Sequence, residues 1–188
     1  MLNLDQTFDR IDFKNSPLPK GEYENCTFKN SDFSNANLFE YKFTDCRFEI
    51  CNLSNAKINQ VSFRDCKFYN GKMLGLLFDQ CAPFGFSVYF ENCILNHSSF
   101  FKVKLKKTLF RNCQLQEVDF SEADLTTASF DNSDLSGAIF ENSILEKADF
   151  RTATNYSFNP EFNKMKKARF SLAGLPGLLA KYDIEIED

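Results

Sequence analysis

Every fifth residue of this chain is large and apolar, and that period alone excludes most folds. Counting from Phe8 in steps of five gives Phe8, Phe13, Leu18, Tyr23, Phe28, Phe33, Leu38, Phe43, Phe48, Leu53, Ile58, Phe63, Phe68, Met73 and Phe78. The next step lands on Pro83 and the phase breaks. It resumes at Phe90 and runs in fives through Leu95, Phe100, Leu105, Phe110, Leu115, Phe120, Leu125, Phe130, Leu135, Phe140 and Leu145 to Phe150. A period of five is neither the 3.6 of a helix nor the 2 of an ordinary strand. A repeat this regular is the mark of a solenoid.

Two residues before each of these centres lies a second restricted slot, mostly small: Cys26, Ser31, Cys46, Cys51 and Ala56 early, Cys93, Cys113, Ala123, Ser133 and Ala148 later. Neither slot carries Asp, Glu, Lys or Arg in any of the twenty-eight repeats. A charge inside an apolar column costs several kcal/mol, so both slots are expected to face inward. Residues two apart share a face of a short extended segment, and the other three must turn a corner. Four such sides close a square of twenty residues, the spacing of the quartets "FENC" (90–93), "FRNC" (110–113) and "FDNS" (130–133). Asn15, Asn35, Asn55 and Asn92, Asn112, Asn132 form further twenty-residue columns, and Asn suits a corner with positive φ.

The segments "SDFSNANL" (31–38), "VDFSEADLTTASFDNSDLSGAIF" (118–140) and "KADF" (147–150) resemble the pentapeptide-repeat family, whose consensus is A(D/N)LXX. The resemblance implies an all-β, right-handed quadrilateral β-helix. It divides the chain into a solenoid over 1–175 and a short C-terminal helix and tail over 175–188. The phase break falls near 79–89, and a degenerate stretch spans 154–167, where Asn155 and Pro160 occupy centres.

A solenoid needs its open ends covered. Pro176 stands where a first helical turn accepts proline, and Leu175, Leu178, Leu179 and Tyr182 fall at helical spacing. Ile184 and Ile186 then alternate with acids as in a strand. These six residues are the candidates for a cap, for a homodimer contact, or for both. The two interruptions are the candidate partner-binding loops, since function concentrates where loops leave a rigid scaffold. Phe84, Phe86 and Tyr89 belong to the first, Tyr156 and Phe158, with Phe162, to the second, and Phe101 is a further candidate; the alternative is that these aromatics fold back on the coil.

Chemistry is scarce. The seven cysteines (26, 46, 51, 66, 81, 93 and 113) all fall two before a five-step position, so they are expected inward, reduced and inert. The single His97 lies on an outward corner with no partner evident in the sequence and cannot build a multi-His metal site. No P-loop or GxGxxG is present. We therefore expect no enzyme, no cofactor and no metal. The N-terminus "MLNLDQTFDRIDF" has no apolar export region and no apolar run spans a membrane, so a cytoplasmic setting is expected.

Charge is the one surface feature that is uneven. The net charge is only −4, which gives no general attraction to nucleic acid. Yet residues 112–146 hold Glu117, Asp119, Glu122, Asp124, Asp131, Asp134, Glu141 and Glu146 and no cation. Just before them stand Lys102, Lys104, Lys106, Lys107 and Arg111. Of the acids, Asp119, Glu122, Asp124, Asp131, Asp134 and Glu141 are candidates for a surface complementary to a basic groove. Within the family, the resemblance is to the quinolone-resistance (Qnr-type) and gyrase-binding members. They are acidic, DNA-mimicking rods, and the likeness implies a protein partner such as DNA gyrase or topoisomerase IV. The alternative is a general scaffold with another protein partner.

Overall fold

In the computed structural model, which describes residues 1–187, the five-residue period becomes a four-sided right-handed β-solenoid. Its strands are short because each side holds only one centre and its flanks. One side stacks β1 (Leu2–Leu4), β3 (Glu22–Glu24), β5 (Lys42–Thr44) and β7 (Ser62–Arg64) in parallel. The next stacks β2 (Thr7–Asp9), β4 (Thr27–Lys29), β6 (Arg47–Glu49), β8 (Cys66–Tyr69), β9 (Val88–Glu91) and β10 (Phe110–Arg111). The register advances by twenty residues per coil, as in Phe28↔Phe48, and by twenty-two across the break, where Phe68 meets Phe90. The other two sides are held by single parallel bridges, such as Asp32↔Asn52 and Asp119↔Ile139.

The centres form the core. All from Phe13 to Phe78 and from Phe90 to Phe150 are buried, and only Phe8, in the first coil, is partly open. One column stacks nine phenylalanines, Phe8, 28, 48, 68, 90, 110, 130, 150 and 170, with successive centroids 4.8–5.3 Å apart. Rings of adjacent columns meet edge to face, as Phe110 and Phe120 do at 5.8 Å and 79°. Stacked and edge contacts are the two arrangements that the ring quadrupole favours. The slot two before the centre is not always small. Tyr41 occupies one and is buried, its hydroxyl donating to the Leu18 carbonyl.

Corners take the left-handed conformation. Asn35, Asn55, Asn92, Asn112 and Asn132 have φ of 50–58°. Asn15 does not join them. The Asp12 carboxylate accepts from the Lys14 and Asn15 amides and from the Asn15 side chain, which replaces the left-handed corner with a local turn. Corners are also occupied by residues with no such preference, including Glu40, Lys102 and the β-branched Ile50 and Thr127. The carbonyl-to-amide ladder along the rod fixes the corner geometry, and the side chain must accept it.

Two sequence expectations are corrected at the C-terminal end. Tyr156 and Phe158 are not exposed on a loop but buried. They fill the volume that Asn155 and Pro160 leave vacant, with Phe158 4.9 Å from Phe140. The exposed ring of this stretch is Phe162. The cap is also not one continuous amphipathic helix. It comprises a 3-10 turn at Leu172–Gly174, the helix α1 at Pro176–Leu179, and a second 3-10 turn at Ala180–Tyr182. Leu178 packs on the core and Leu179 is half-buried, while Leu175 and Tyr182 stay exposed, so the four do not share one face. Ile184 and Ile186 are exposed and belong to no strand or bridge among the described residues.

Candidate interaction surface

The first interruption is a bulge inserted between two intact rungs. The Ala82 amide donates to the Val61 carbonyl and the Ser87 amide to the Phe63 carbonyl, so the extra residues loop out between them. Phe86 turns back against Phe78, at 6.3 Å and edge-on, filling the place that Pro83 cannot. Phe84 projects outward, 78% exposed, with the Arg64 guanidinium 5.2 Å from its ring. Gly85 sits at φ 71° and any Cβ there would press on the Arg64 side chain at 3.2 Å, so both its conformation and its lack of side chain are used. The bulge is further tied by Ser87, whose hydroxyl donates to Asp65 at 2.9 Å. Tyr89 and Phe101 are half-buried. The Tyr89 hydroxyl donates to Glu91 at 2.5 Å, and burial together with that carboxylate pushes the phenol up to about 12. Of these four aromatics, only Phe84 is fully offered to a partner.

The basic band and the acidic collar meet rung by rung. His97 Nδ1 lies 3.1 Å from Glu117, Lys102 3.4 Å from Glu122, Lys106 3.2 Å from Asp124, and Arg111 3.4 Å from Asp131. Each pair joins adjacent coils. His97 thus has a partner that the sequence did not reveal. Such exposed pairs contribute little stability individually, but they cancel charge along one belt. Asp119, Asp124 and Asp134 also cap their own corners, each accepting the amide two residues on. For Asp134, burial works against ionisation, but hydrogen bonds from Asn155, Gln116 and Ser136 outweigh it and hold the acid down at about 2. Among the described residues, Asp119, Asp134, Glu141 and Glu146 have no cationic partner, and neither do Lys104 and Lys107.

All seven cysteines are free and buried. Burial pushes the Cys46 thiol up to about 12 and Cys51 to about 11, and raises Cys66 and Cys81 further. The neighbouring Cys93 thiol and burial together raise Cys113. These five thiols, held protonated inside the column, are poor nucleophiles, while the hydrogen bond from Cys113 lowers the buried Cys93 thiol. Among the described residues no cluster of His, Cys, Asp or Glu could hold a metal ion, and no helix is long and apolar enough to cross a membrane. Exposed apolar side chains that the sequence reading did not single out include Phe39, Ile50, Leu77, Leu109 and Ile139, with Leu2, Leu4 and Leu172 towards the ends of the rod. All lie at outward positions of the pentad, and that frame was the signal available to find them.

Comparison with known proteins agrees with this architecture. A model described as pentapeptide repeats (9 copies) matches residues 23–71, and one described as a pentapeptide repeat region matches residues 86–157. Pro83, Phe84 and Gly85 of the bulge fall in the gap between them. No curated protein matches the sequence. Among solved structures, a trypsin-treated form of QnrB1, a plasmid-mediated fluoroquinolone resistance protein, superposes with a TM-score of 0.62 at 18% identity. That match covers 100% of this chain and 92% of the other. HetL, a pentapeptide repeat protein involved in heterocyst differentiation regulation from the cyanobacterium Nostoc sp. strain PCC 7120, gives 0.48 at 13% identity, covering 90% and 87%. The two family matches together take in most of the solenoid, and its centres, corners and coil length are those the repeat requires: this chain belongs to the pentapeptide-repeat proteins.

Proposed function

We propose that this chain is a non-enzymatic, cytoplasmic interaction rod whose partner is a type II topoisomerase, DNA gyrase or topoisomerase IV, and that it alters the enzyme's activity or quinolone sensitivity. The observation that carries the reading is the collar. Glu122, Glu141 and Asp131 project from a rigid rod beside the corner acids Asp119, Asp124 and Asp134, and that sign is complementary to a basic surface made to receive DNA. QnrB1, whose fold this chain shares, is described as a fluoroquinolone resistance protein, and the reading extends that context to this chain. Phe84 and the exposed Phe162 supply apolar anchors on either side of the collar, the kind of residue on which binding energy concentrates. The reading includes self-association through Leu175, Tyr182, Ile184 and Ile186, and neither a cofactor, direct nucleic-acid contact nor membrane contact.

A second reading, a scaffold for a different protein, is favoured by the cancelled rungs: three of the eight collar acids face a lysine or arginine one coil away, and a fourth, Glu117, faces His97. A supercoiling assay with and without a fluoroquinolone, joined to a pull-down with purified gyrase and topoisomerase IV, separates the two. Retention of either enzyme with altered supercoiling or drug inhibition is expected from the first reading. No retention and no effect would leave the scaffold.

A further inference from the structure

One rung of the solenoid is left open at the C-terminal end. The side that begins with β1, β3, β5 and β7 continues through the bridges Lys104↔Asp124, Asp124↔Ile144 and Ile144↔Lys164 and stops at residues 163–167. One coil below, the Leu145 amide donates to the Lys164 carbonyl and the Lys147 amide to the Lys166 carbonyl, while the Ser143 carbonyl accepts from the Lys164 amide. The equivalent groups of the last rung are the Met165 and Lys167 amides and the Asn163 carbonyl, and none has a partner among the described residues. Met165, the centre of this rung, is only half-buried. Lys164, Lys166 and Lys167 are exposed and make no ion pair among the described residues. Unpaired ladder groups around a half-covered apolar centre are a template for one more strand.

The tail has the pattern of that strand. Ile184 and Ile186 stand two apart, as slot and centre do, and Glu185 and Glu187 flank Ile186 at the outward positions. The start of the strand is already in place. Lys181, twenty residues after Glu161, pairs with it at 2.7 Å, so the chain passes one coil above that residue. Asp183 then turns out of the cap at φ 49° and takes up one extra residue. We infer that residues 184–187 close on the last rung of their own chain as a final parallel strand. Ile184 then lies over Asn163 and Ile186 over Met165, with Glu185 and Glu187 over Lys164 and Lys166. The Glu185 amide donates to the Asn163 carbonyl, and the Met165 and Lys167 amides donate to the Glu185 and Glu187 carbonyls. The structure shows the open form, with both isoleucines more than half exposed.

Register and connection select this rung. A slip of one residue would put a glutamate on Met165 and an isoleucine on each lysine, so pattern and charge agree on a single pairing. No linker separates the cap from the rung, and a tether that short holds the strand at an effective concentration of about millimolar or more. The tail also continues the winding of the coils, from the side of Glu161 to that of Met165. Closure has a consequence for the self-association reading, on which it does not rest. A closed tail withholds Ile184 and Ile186 from a second copy and leaves that contact Leu175 and Tyr182, and an open tail offers all four. The tail is thus a latch on the end of the rod, held by ion pairs that salt weakens.

The test is residue-resolved hydrogen exchange on the full chain at low salt, read at the Met165, Lys167 and Glu185 amides, with circular dichroism to confirm that each variant folds. In the parent, exchange at Met165 and Lys167 should be about tenfold or more slower than in a variant lacking residues 183–188. Lys164→Glu/Lys166→Glu should lose that protection, and adding Glu185→Lys/Glu187→Lys to the same chain should restore it. Equal exchange with and without the tail, or an unprotected Glu185 amide, would overturn the closed strand. Protection indifferent to Lys164→Glu/Lys166→Glu would overturn the register. Protection that weakens on dilution would assign the strand to a second copy and overturn closure on the parent chain. Neither topoisomerase nor the oligomeric state is the readout, so failure here is separate from failure of the readings above.

Discussion

At the scale of a residue, the inward slot takes a small group, alanine included, and where that group is a thiol or hydroxyl it donates to a backbone carbonyl. Cys46, Cys51 and Cys66 each place the thiol 3.3–3.4 Å from the carbonyl twenty-three residues earlier, those of Tyr23, Phe28 and Phe43. Ser133 and Ser143 make the same bond, to Phe110 at 3.2 Å and Phe120 at 2.8 Å. Cysteine and serine are therefore alternatives in geometry as well as in volume. Cys113→Ser should cost less than about 1 kcal/mol, whereas Phe110→Ala, which empties a stacked column, should cost about 3–5 kcal/mol. Urea melts followed by circular dichroism compare the two, and a Cys113→Ser loss as large as the alanine's would refute the equivalence. The corner at Ile50 points the other way. A β-branched, exposed side chain at φ 55° is strained, and Ile50→Asn should stabilise by about 1 kcal/mol. Asp134 sets an acid limit. Its folded-state value of about 2 lies below the usual carboxylate value of about 4, so its contribution is complete above that value and is lost as pH falls toward 2. Asp134→Asn should flatten the stability profile across that window.

At the scale of an element, what the sequence disclosed depended on whether the period held. Where centres follow at intervals of five, burial and coil length could be read residue by residue, and so could corners such as Asn92, Asn112 and Asn132, but not Asn15, which the Asp12 carboxylate draws into a local turn. Where the period fails, the side chain that fills the core is chosen by the vacancy, and local sequence does not say which neighbour will turn inward. Phe86 takes the place of Pro83 while Phe84 goes out, and Tyr156 and Phe158 take the places of Asn155 and Pro160. The candidate surface was legible as a charge imbalance, but its cross-coil pairing, His97 with Glu117 included, required the twenty-residue register in three dimensions. The cap depends on a contact equally invisible in sequence. A Cβ at Gly177 would lie 1.9 Å from the Tyr156 carbonyl, and one at Gly174 would meet the Tyr156 hydroxyl. The hydroxyl can shift, but the backbone cannot easily do so. Gly177→Ala should therefore lift α1 from the last coil at a cost of about 1–3 kcal/mol. Hydrogen exchange should report faster opening at 170–182 with the central coils unchanged. Exchange at wild-type rates there would mean that the cap does not depend on this approach.

At the scale of the whole molecule, phase is the conserved quantity of the rod, and insertions and deletions test it more sharply than substitutions. The chain already carries two residues beyond the pentad count between Phe78 and Phe90, and the register of the later coils is intact because both are looped out in the bulge. Removing Pro83 and Gly85 together should then be tolerated: Phe84 arrives at the vacant centre, five residues after Phe78, and Val88 keeps its inward slot two before Phe90. Removing two residues from an unbroken corner, such as Thr126 and Thr127, has the opposite result. No local slack exists there, so Ala128 turns outward, Phe130 is forced from its centre into the small slot, and Asn132, Asn142 and Lys147 are carried to centres, the charge alone costing several kcal/mol. Both deletions shorten the chain equally and neither removes a centre. Any difference between them measures phase alone. The bulge deletion should keep a cooperative melt and the β-rich circular dichroism of the parent. The corner deletion should leave the coils after Leu125 unfolded and open to protease. Equal tolerance of the two would show that the solenoid adjusts its winding locally, and the five-residue period would then describe the sequence without governing the fold.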